Sequence, residues 1–190
     1  IRNMGGIRKK LPYTYIFMLI GTLALTGFPF LSGFYSKDAI IEFAYLSKSP
    51  LGNYAVVVGI LTALLTSIYS WRLFFKTFHG SYNNKQIPIN DTHESPLIML
   101  LPLFLLAVGA VFAGYIFKET LIGHHHNEFW QSSIFFLEEI KHEQVPLWFL
   151  IITPLLVTLA IPLSFYYFIY NTKILESFKN TNLPLYNFLL

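Results

Sequence analysis

Cysteine is absent from this 190-residue chain, and charged residues make up only 12% of it, against about 25% in ordinary globular domains. The absence of cysteine excludes disulfides and thiolate metal sites. The 13 basic residues are scattered along the chain, without the continuous basic stripe that follows a nucleic-acid backbone. We therefore expect no nucleic-acid partner and no disulfide-stabilised secreted fold.

Apolar residues are abundant instead: 54% of the chain is hydrophobic, 18% is aromatic, and the mean hydropathy is +0.52. A membrane-spanning helix needs about 20 apolar residues to cross roughly 30 Å of hydrocarbon. Runs of that length predict an all-α membrane protein with about four transmembrane segments. We expect the whole chain to form a single transmembrane helical region, with the segments at residues 11–46, 51–75, 96–117 and 146–170.

The first of these segments is too long for one straight span at about 1.5 Å per residue. Its sequence contains GFPFLSG at residues 27–33, with Gly27, Pro29 and Gly33 in the stretch least suited to a helix. We therefore predict a discontinuous helix, broken near residues 27–33.

Positive charge is distributed unevenly between the connections of this four-segment arrangement. With Lys37 left aside, nine of the lysines and arginines lie before the first segment, from Arg72 at the end of the second segment to Glu94, and after the fourth, whereas the other two connections hold three. The positive-inside rule then places both ends on the cytoplasmic or matrix side of a lipid bilayer. We expect a multi-pass protein of the bacterial inner membrane or the mitochondrial inner membrane.

Lys37 and Asp38 directly follow the predicted break. Unwound backbone at membrane depth lines a cavity or is buried in protein, and ionised groups there are costly and usually functional. Because adjacent residues on a helix point about 100° apart, each should face a different neighbour. The alternative is that Lys37 extends to the interface while Asp38 or Ser36 caps the second half-helix.

Further polar groups could extend a route for protons from these two residues. Glu42 lies one turn after Asp38 on the same face, although a solvated position near the surface is the simpler interpretation of a glutamate. Hydroxyl, basic and imidazole groups near the end of the second segment can hydrogen-bond across helices, hold water or carry protons. These candidates are Thr66, Tyr69, Ser70, Arg72 and His79.

Three consecutive histidines, His124, His125 and His126, are potential metal ligands together with Glu128. Neither helical nor extended backbone points three successive side chains the same way, and ligand spacing in known metal sites is different. We expect no metal and no cofactor in this chain.

The stretch MGGIRKKLPYTYIFMLIGTLALTGFPFLSGFYSKDAII, followed by TSIYSWRLFFKTFHG, resembles the large antiporter-like membrane subunits, chain L type, of respiratory complex I. The large subunits of multisubunit cation/proton antiporters share this pattern. The resemblance implies a discontinuous transmembrane helix in which Lys37 belongs to the chain of proton-translocating groups and Asp38 lies toward its outlet. It also implies other complex I membrane subunits as partners.

The resemblance covers the first half of the chain most strongly, and the upstream helices of the family are missing. We therefore expect the sequence to be a C-terminal-half fragment, which needs the upstream and downstream parts of its subunit to act.

The function expected from these observations is proton translocation within NADH:quinone oxidoreductase, with electron transfer elsewhere in the complex and no catalytic chemistry in this chain. Two alternatives stay open: a subunit of a Na⁺(K⁺)/H⁺ antiporter, and a structural membrane scaffold without a transport role. A metal-dependent membrane enzyme that uses the three histidines ranks last.

Overall fold

The computed structural model describes residues 4–82, 88–123, 126–131, 133, 145–172, 174 and 181, and only the backbone of residues 126 and 127. Every regular element in these residues is a helix, and short 3-10 turns lie at Ile7–Lys9 and Ile89–Asp91. The α-helices are α1 (Pro12–Thr26), α2 (Ser32–Leu46), α3 (Pro50–Phe78), α4 (Leu97–Leu121), α5 (His126–Trp130) and α6 (Leu147–Phe165), which continues as a π-helix at Tyr166–Tyr170.

Three helices are long and apolar enough to cross a membrane: α3, α4, and α6 with its π-helical end. Helices α1 and α2 have 15 residues each, so each is about 22 Å long and crosses roughly 30 Å of hydrocarbon only together with the other. The predicted all-α membrane fold with a discontinuous first segment is confirmed.

The helices begin and end where the local chemistry favours it. Proline occupies the first turn of α1 and α3, where its missing N–H costs nothing, and Ser49 Oγ caps α3 by accepting from Gly52 N–H at 2.9 Å. Helices α3 and α4 extend past the predicted residues 75 and 117. Lys76 and Lys118 lie in their last turns, where the helix dipole favours a positive charge.

The broken pair α1 and α2 lies end to end between α3 and α4, and α6 packs on the other side of α3. Successive segments run in opposite directions. Gly6 N–H donates to the carbonyl of His79 at 3.2 Å, and the His79 ring lies 6.3 Å from that of Phe165 near the end of α6. The residues before α1 and the end of α6 therefore lie at the same end of the bundle.

Two apolar clusters hold the helices together, one at each end of the bundle. The larger one lies where α1 begins and α3 ends, and its buried members are Ile7, Trp71, Phe74, Phe75 and Phe78. The smaller one joins α2, α3 and α6 through Ile41, Val56 and Phe149. Lipid is as apolar as these side chains, so their removal from water does not drive the helices together. Close packing between the helices stabilises the bundle instead.

Candidate functional site

The break between α1 and α2 has a defined geometry. Gly27, at φ +84 and ψ 36, ends α1 in the left-handed conformation, and its N–H donates to the carbonyl of Ala24 at 3.2 Å. Phe28 N–H donates to the carbonyl of Leu23 at 3.0 Å, which is the pattern of a glycine-terminated helix. Phe30 is also left-handed, at φ +70. The chain thus turns over residues 27–31 before α2 begins.

Lys37 reaches back across this break. Its Nζ donates to the main-chain carbonyl oxygen of Thr26, the last residue of α1, at 3.4 Å, and its Cδ lies beside Gly27. The last carbonyls of a helix lack partners within it and carry the negative end of its dipole. The ammonium group therefore belongs to a side chain of α2 and is bound by the backbone of α1.

Gly33 lies inside α2, as its second residue, and not in the unwound stretch to which the sequence assigned it. A Cβ at this position would run into the carbonyl oxygen of Ala24. Glycine is therefore needed for the close approach of the two half-helices rather than to interrupt the helix.

The proposed helix caps at Asp38 and Ser36 are wrong. Helix α2 begins at Ser32 with Leu31 at the cap position and no side-chain cap bond. Asp38 and Ser36 therefore lie within the helix, and Ser36 Oγ donates to the carbonyl of Gly33 in its own helix, at 3.2 Å. This alternative fails because α2 begins at Ser32, four residues before Ser36.

Asp38 faces α6, whereas Lys37 faces the break. Asp38 and Glu42 line a cavity of about 10 Å³ together with Thr153 from α6, a volume close to that needed for one water molecule. The other lining residues are apolar: Ile41, Phe149 and Leu150. Thr153 is 6% exposed, and sequence reasoning missed it because nothing near it in the sequence marks it as facing a carboxylate.

The candidates on α3 do not form one group. Thr66 Oγ1 donates to the carbonyl of Thr62 at 2.6 Å, Tyr69 is exposed, and Ser70 is buried with no partner for its hydroxyl among the described residues. The guanidinium of Arg72 lies 5.8 Å from the centre of the Phe168 ring. In the part of the chain that the structure describes, none of these side chains bonds to Lys37 or Asp38.

His79 lies at the opposite end of α1 from Lys37. Its ring is surrounded by those of Tyr15, Phe74, Phe75 and Phe165 at 5.5–6.3 Å, and its Nδ1 has no hydrogen-bond partner among the described residues. Burial, and then the positive charge of Arg8, lower the pKa of His79. Since Tyr15 and Thr26 are eleven helical residues apart, His79 is roughly 16 Å from the break along the helix axis.

No metal centre is formed by the side chains that the structure describes: they contain no group of three or more histidine, cysteine, aspartate or glutamate residues that could hold an ion. His124 and His125 lie outside the described residues, as does the side chain of His126.

Comparison with known proteins shows which family this chain resembles. Residues 1–70 match the family described as NADH:quinone oxidoreductase/Mrp antiporter, TM. The whole chain aligns with 29% of the NADH-ubiquinone oxidoreductase chain 5 of Phytophthora infestans, at 41% identity over 195 residues. The chain 5 proteins of Marchantia polymorpha and Arabidopsis thaliana are 47% and 46% identical over 137 residues, which are 72% of this chain and 20% of theirs.

The match to residues 1–70 contains the break, Lys37 and Asp38, and the alignment with the Phytophthora infestans protein extends the similarity over α4 and α6. The chain spans less than a third of the length of these relatives. Together these matches show that the chain belongs to the NADH:quinone oxidoreductase/Mrp antiporter family of transmembrane proteins.

Proposed function

We propose that the chain takes part in proton translocation across an energy-transducing inner membrane, and that Lys37 is a group that carries the proton. The observation on which the proposal rests is the contact of Lys37 Nζ with the Thr26 carbonyl across the helix break, at 3.4 Å. Among the residues that the structure describes, this amine is held by main-chain dipoles and has no carboxylate in an ion pair with it. Gain or loss of its proton therefore changes the interaction between the two half-helices.

Asp38 is the next group in the proposed path. Its cavity with Glu42 and Thr153 opens toward α6, so a proton that leaves Lys37 would pass from the break to the other side of α2. A water molecule in this cavity would connect the two carboxylates, since hydroxyl and carboxylate oxygens are the partners that a buried water needs. Glu42 also lies within the electrostatic reach of Lys118 from α4.

The relatives are named as chains of an NADH-ubiquinone oxidoreductase, and we propose that this chain acts within such a complex. In this proposal its partners are the other membrane subunits, the lipid bilayer and the rest of its own subunit. Both ends of the segment lie on the cytoplasmic or matrix side. The chain contributes no redox chemistry, and electron transfer occurs elsewhere in the complex.

A second function, cation/proton antiport, follows from the family description, which also includes the Mrp antiporters. The same site would then exchange a proton for Na⁺ or K⁺. The two functions differ in their dependence on electron transfer. Proton movement that needs NADH oxidation and is independent of Na⁺ and K⁺ supports the first, and proton movement driven by a Na⁺ or K⁺ gradient alone supports the second.

The decisive experiment measures protons pumped per NADH oxidised in sealed vesicles that contain the assembled complex. Lys37→Ala should lower this ratio while the complex stays assembled. Lys37→Arg should lower it too, because arginine keeps its proton at any accessible pH. Lys48→Ala, which removes an exposed lysine after α2, is the matched control and should leave the ratio unchanged.

Each outcome has a definite meaning. If Lys37→Arg pumps normally while Lys37→Ala does not, the site needs a positive charge and exchanges no proton. An unchanged ratio in Lys37→Ala, with assembly intact, would show that the lysine is a structural anchor and would contradict the proposal.

A further inference from the structure

The hydroxyl of Ser32, the first residue of α2, enters the backbone of α4. Ser32 Oγ lies 2.9 Å from the carbonyl oxygen of Gly109 and 2.8 Å from that of Ala110, and it accepts from the N–H of Gly114 at 3.1 Å. In a regular helix, Gly114 N–H and the Ala110 carbonyl belong to the same hydrogen-bonded turn. The serine side chain is thus inserted at that turn of a neighbouring helix.

The fit depends on Gly114. A Cβ at this position would lie 2.5 Å from Cα of Ser32 and 2.7 Å from Cδ2 of Tyr35, which is too close for any side chain. Small residues allow helix backbones to approach in membranes, and serine hydroxyls then bond across the interface. Gly114 and Ser32 therefore form one contact point between α4 and the second half-helix.

This contact lies beside the site described above. Lys37 follows Ser32 by five residues in the same helix, and its ammonium group is bound to the end of α1. Helix α2 has no side-chain cap of its own, so the bonds of Ser32 to α4 hold the start of the half-helix in place. Because a helix is stiff over two turns, the position of Ser32 sets where Lys37 lies relative to the Thr26 carbonyl.

We infer that Ser32 is a positioning residue, which docks the second half-helix on α4 and so holds Lys37 at the break. This inference rests on the proposed role of Lys37 in proton translocation. It assigns to α4, from which Lys118 lies within electrostatic reach of Glu42, the further task of fixing the geometry of that path.

The test uses the assembled complex in sealed vesicles and measures protons pumped per NADH oxidised, a ratio that does not depend on how much complex is present. The part that depends on Lys37 is the difference between the wild type and Lys37→Ala. Ser32→Ala should lower this part by roughly half or more, since one lost hydrogen bond shifts an equilibrium on the order of fivefold. Ser32→Thr, which keeps the hydroxyl, should restore most of it.

Ser36→Ala is the matched control. It removes the same group one turn later in α2, where the hydroxyl, among the described residues, bonds to the Gly33 carbonyl of its own helix, and it should leave the ratio unchanged. If Ser32→Ala does not assemble, Ser32→Cys replaces it, because a thiol has nearly the same shape and hydrogen-bonds weakly. The cysteine variant should also lower the ratio.

The outcomes separate the inference from the function on which it rests. If Lys37→Ala lowers the ratio and the Ser32 variants match the wild type, Ser32 does not position Lys37 and the inference is overturned. An equal loss in Ser32→Ala and Ser36→Ala would overturn it too, because the effect would then be general to the helix. If Lys37→Ala itself pumps normally, the proposed function fails and the inference fails with it.

Discussion

Replacing Gly27 with alanine should loosen the helix break. Gly27 has φ +84, and a residue with a Cβ in this left-handed conformation costs about 1–2 kcal/mol. The new Cβ would also lie 3.2 Å from Cδ of Lys37, so the lysine would have to shift slightly. A loss of one or two kcal/mol corresponds to a factor of about 5–30 in the local opening equilibrium. Main-chain amides in residues 27–33 should exchange faster by about that factor.

The assay is hydrogen exchange of the assembled complex, followed by mass spectrometry of peptides that cover residues 15–35. Gly21→Ala serves as the control, because Gly21 lies within α1 and a Cβ there meets no atom within 4 Å. Alanine in a helix interior is more stable than glycine by about 1 kcal/mol, so exchange near residue 21 should become slower. If both substitutions change exchange in the same direction, the left-handed conformation does not determine the stability of the break.

Three further predictions concern the end of the bundle where α1 begins. Glu94 accepts from the N–H of Tyr13 at 2.8 Å and from the N–H and hydroxyl of Thr14, so it caps α1 from the connection before α4. Burial raises the pKa of Glu94, but these hydrogen bonds outweigh it and lower the pKa below its ordinary 4.5. Glu94→Ala should therefore destabilise the start of α1 by about 1 kcal/mol, measured by hydrogen exchange in residues 12–16, whereas an unchanged rate would show that the cap contributes nothing. In the wild type this stabilisation is present above pH 4.5, and it should be lost as the pH falls through the lower pKa of the folded state. The pKa of His79 in the folded chain lies below its ordinary 6.5. The unfolded state therefore binds more protons, and the free energy of local unfolding should fall as the pH drops from 6.5 toward the pKa of the folded state. Between about pH 5 and 7, where histidine titrates, hydrogen exchange in residues 75–80 should become faster at lower pH in the wild type but not in His79→Phe. Equal pH dependence in both would show that His79 is not the group responsible.

The fold could be predicted from the sequence because its strongest signals are local. A run of apolar residues longer than a bilayer needs must be interrupted, and Gly27 and Pro29 mark the place. Lys37 and Asp38 come shortly after this interruption in the sequence, so their place near the helix break could also be predicted. Gly33 has the same sequence signature as a helix breaker, and only the closeness of Ala24 in space shows that it serves packing.

The partners of the site residues could not be predicted, because they come from distant parts of the chain or from the backbone. The acceptor for Lys37 is a main-chain carbonyl, which every residue has and which therefore leaves no trace in the sequence. Glu94 meets Thr14 from 80 residues away, and Thr153 reaches the cavity beside Asp38 from another helix. Hydrophobic periodicity reports that helices pack together and does not report which polar groups meet.

The way in which α4 is attached has a consequence for how the bundle assembles. Of its 25 residues only Leu100 and Ala107 are buried. An exposed apolar helix in lipid has nearly the same energy at different positions along its own axis. Three polar contacts among the described residues distinguish one position from the others. Glu94 bonds to Thr14 before the helix, Ser32 bonds to the middle of α4, and near its end Lys118 Nζ lies 5.4 Å from the centre of the Tyr35 ring. A slide of α4 by one turn, about 5.4 Å, would break all three contacts. A few polar groups therefore help to determine the register of this helix, beside apolar packing such as the contact of the Phe104 ring with that of Phe17 at 6.3 Å.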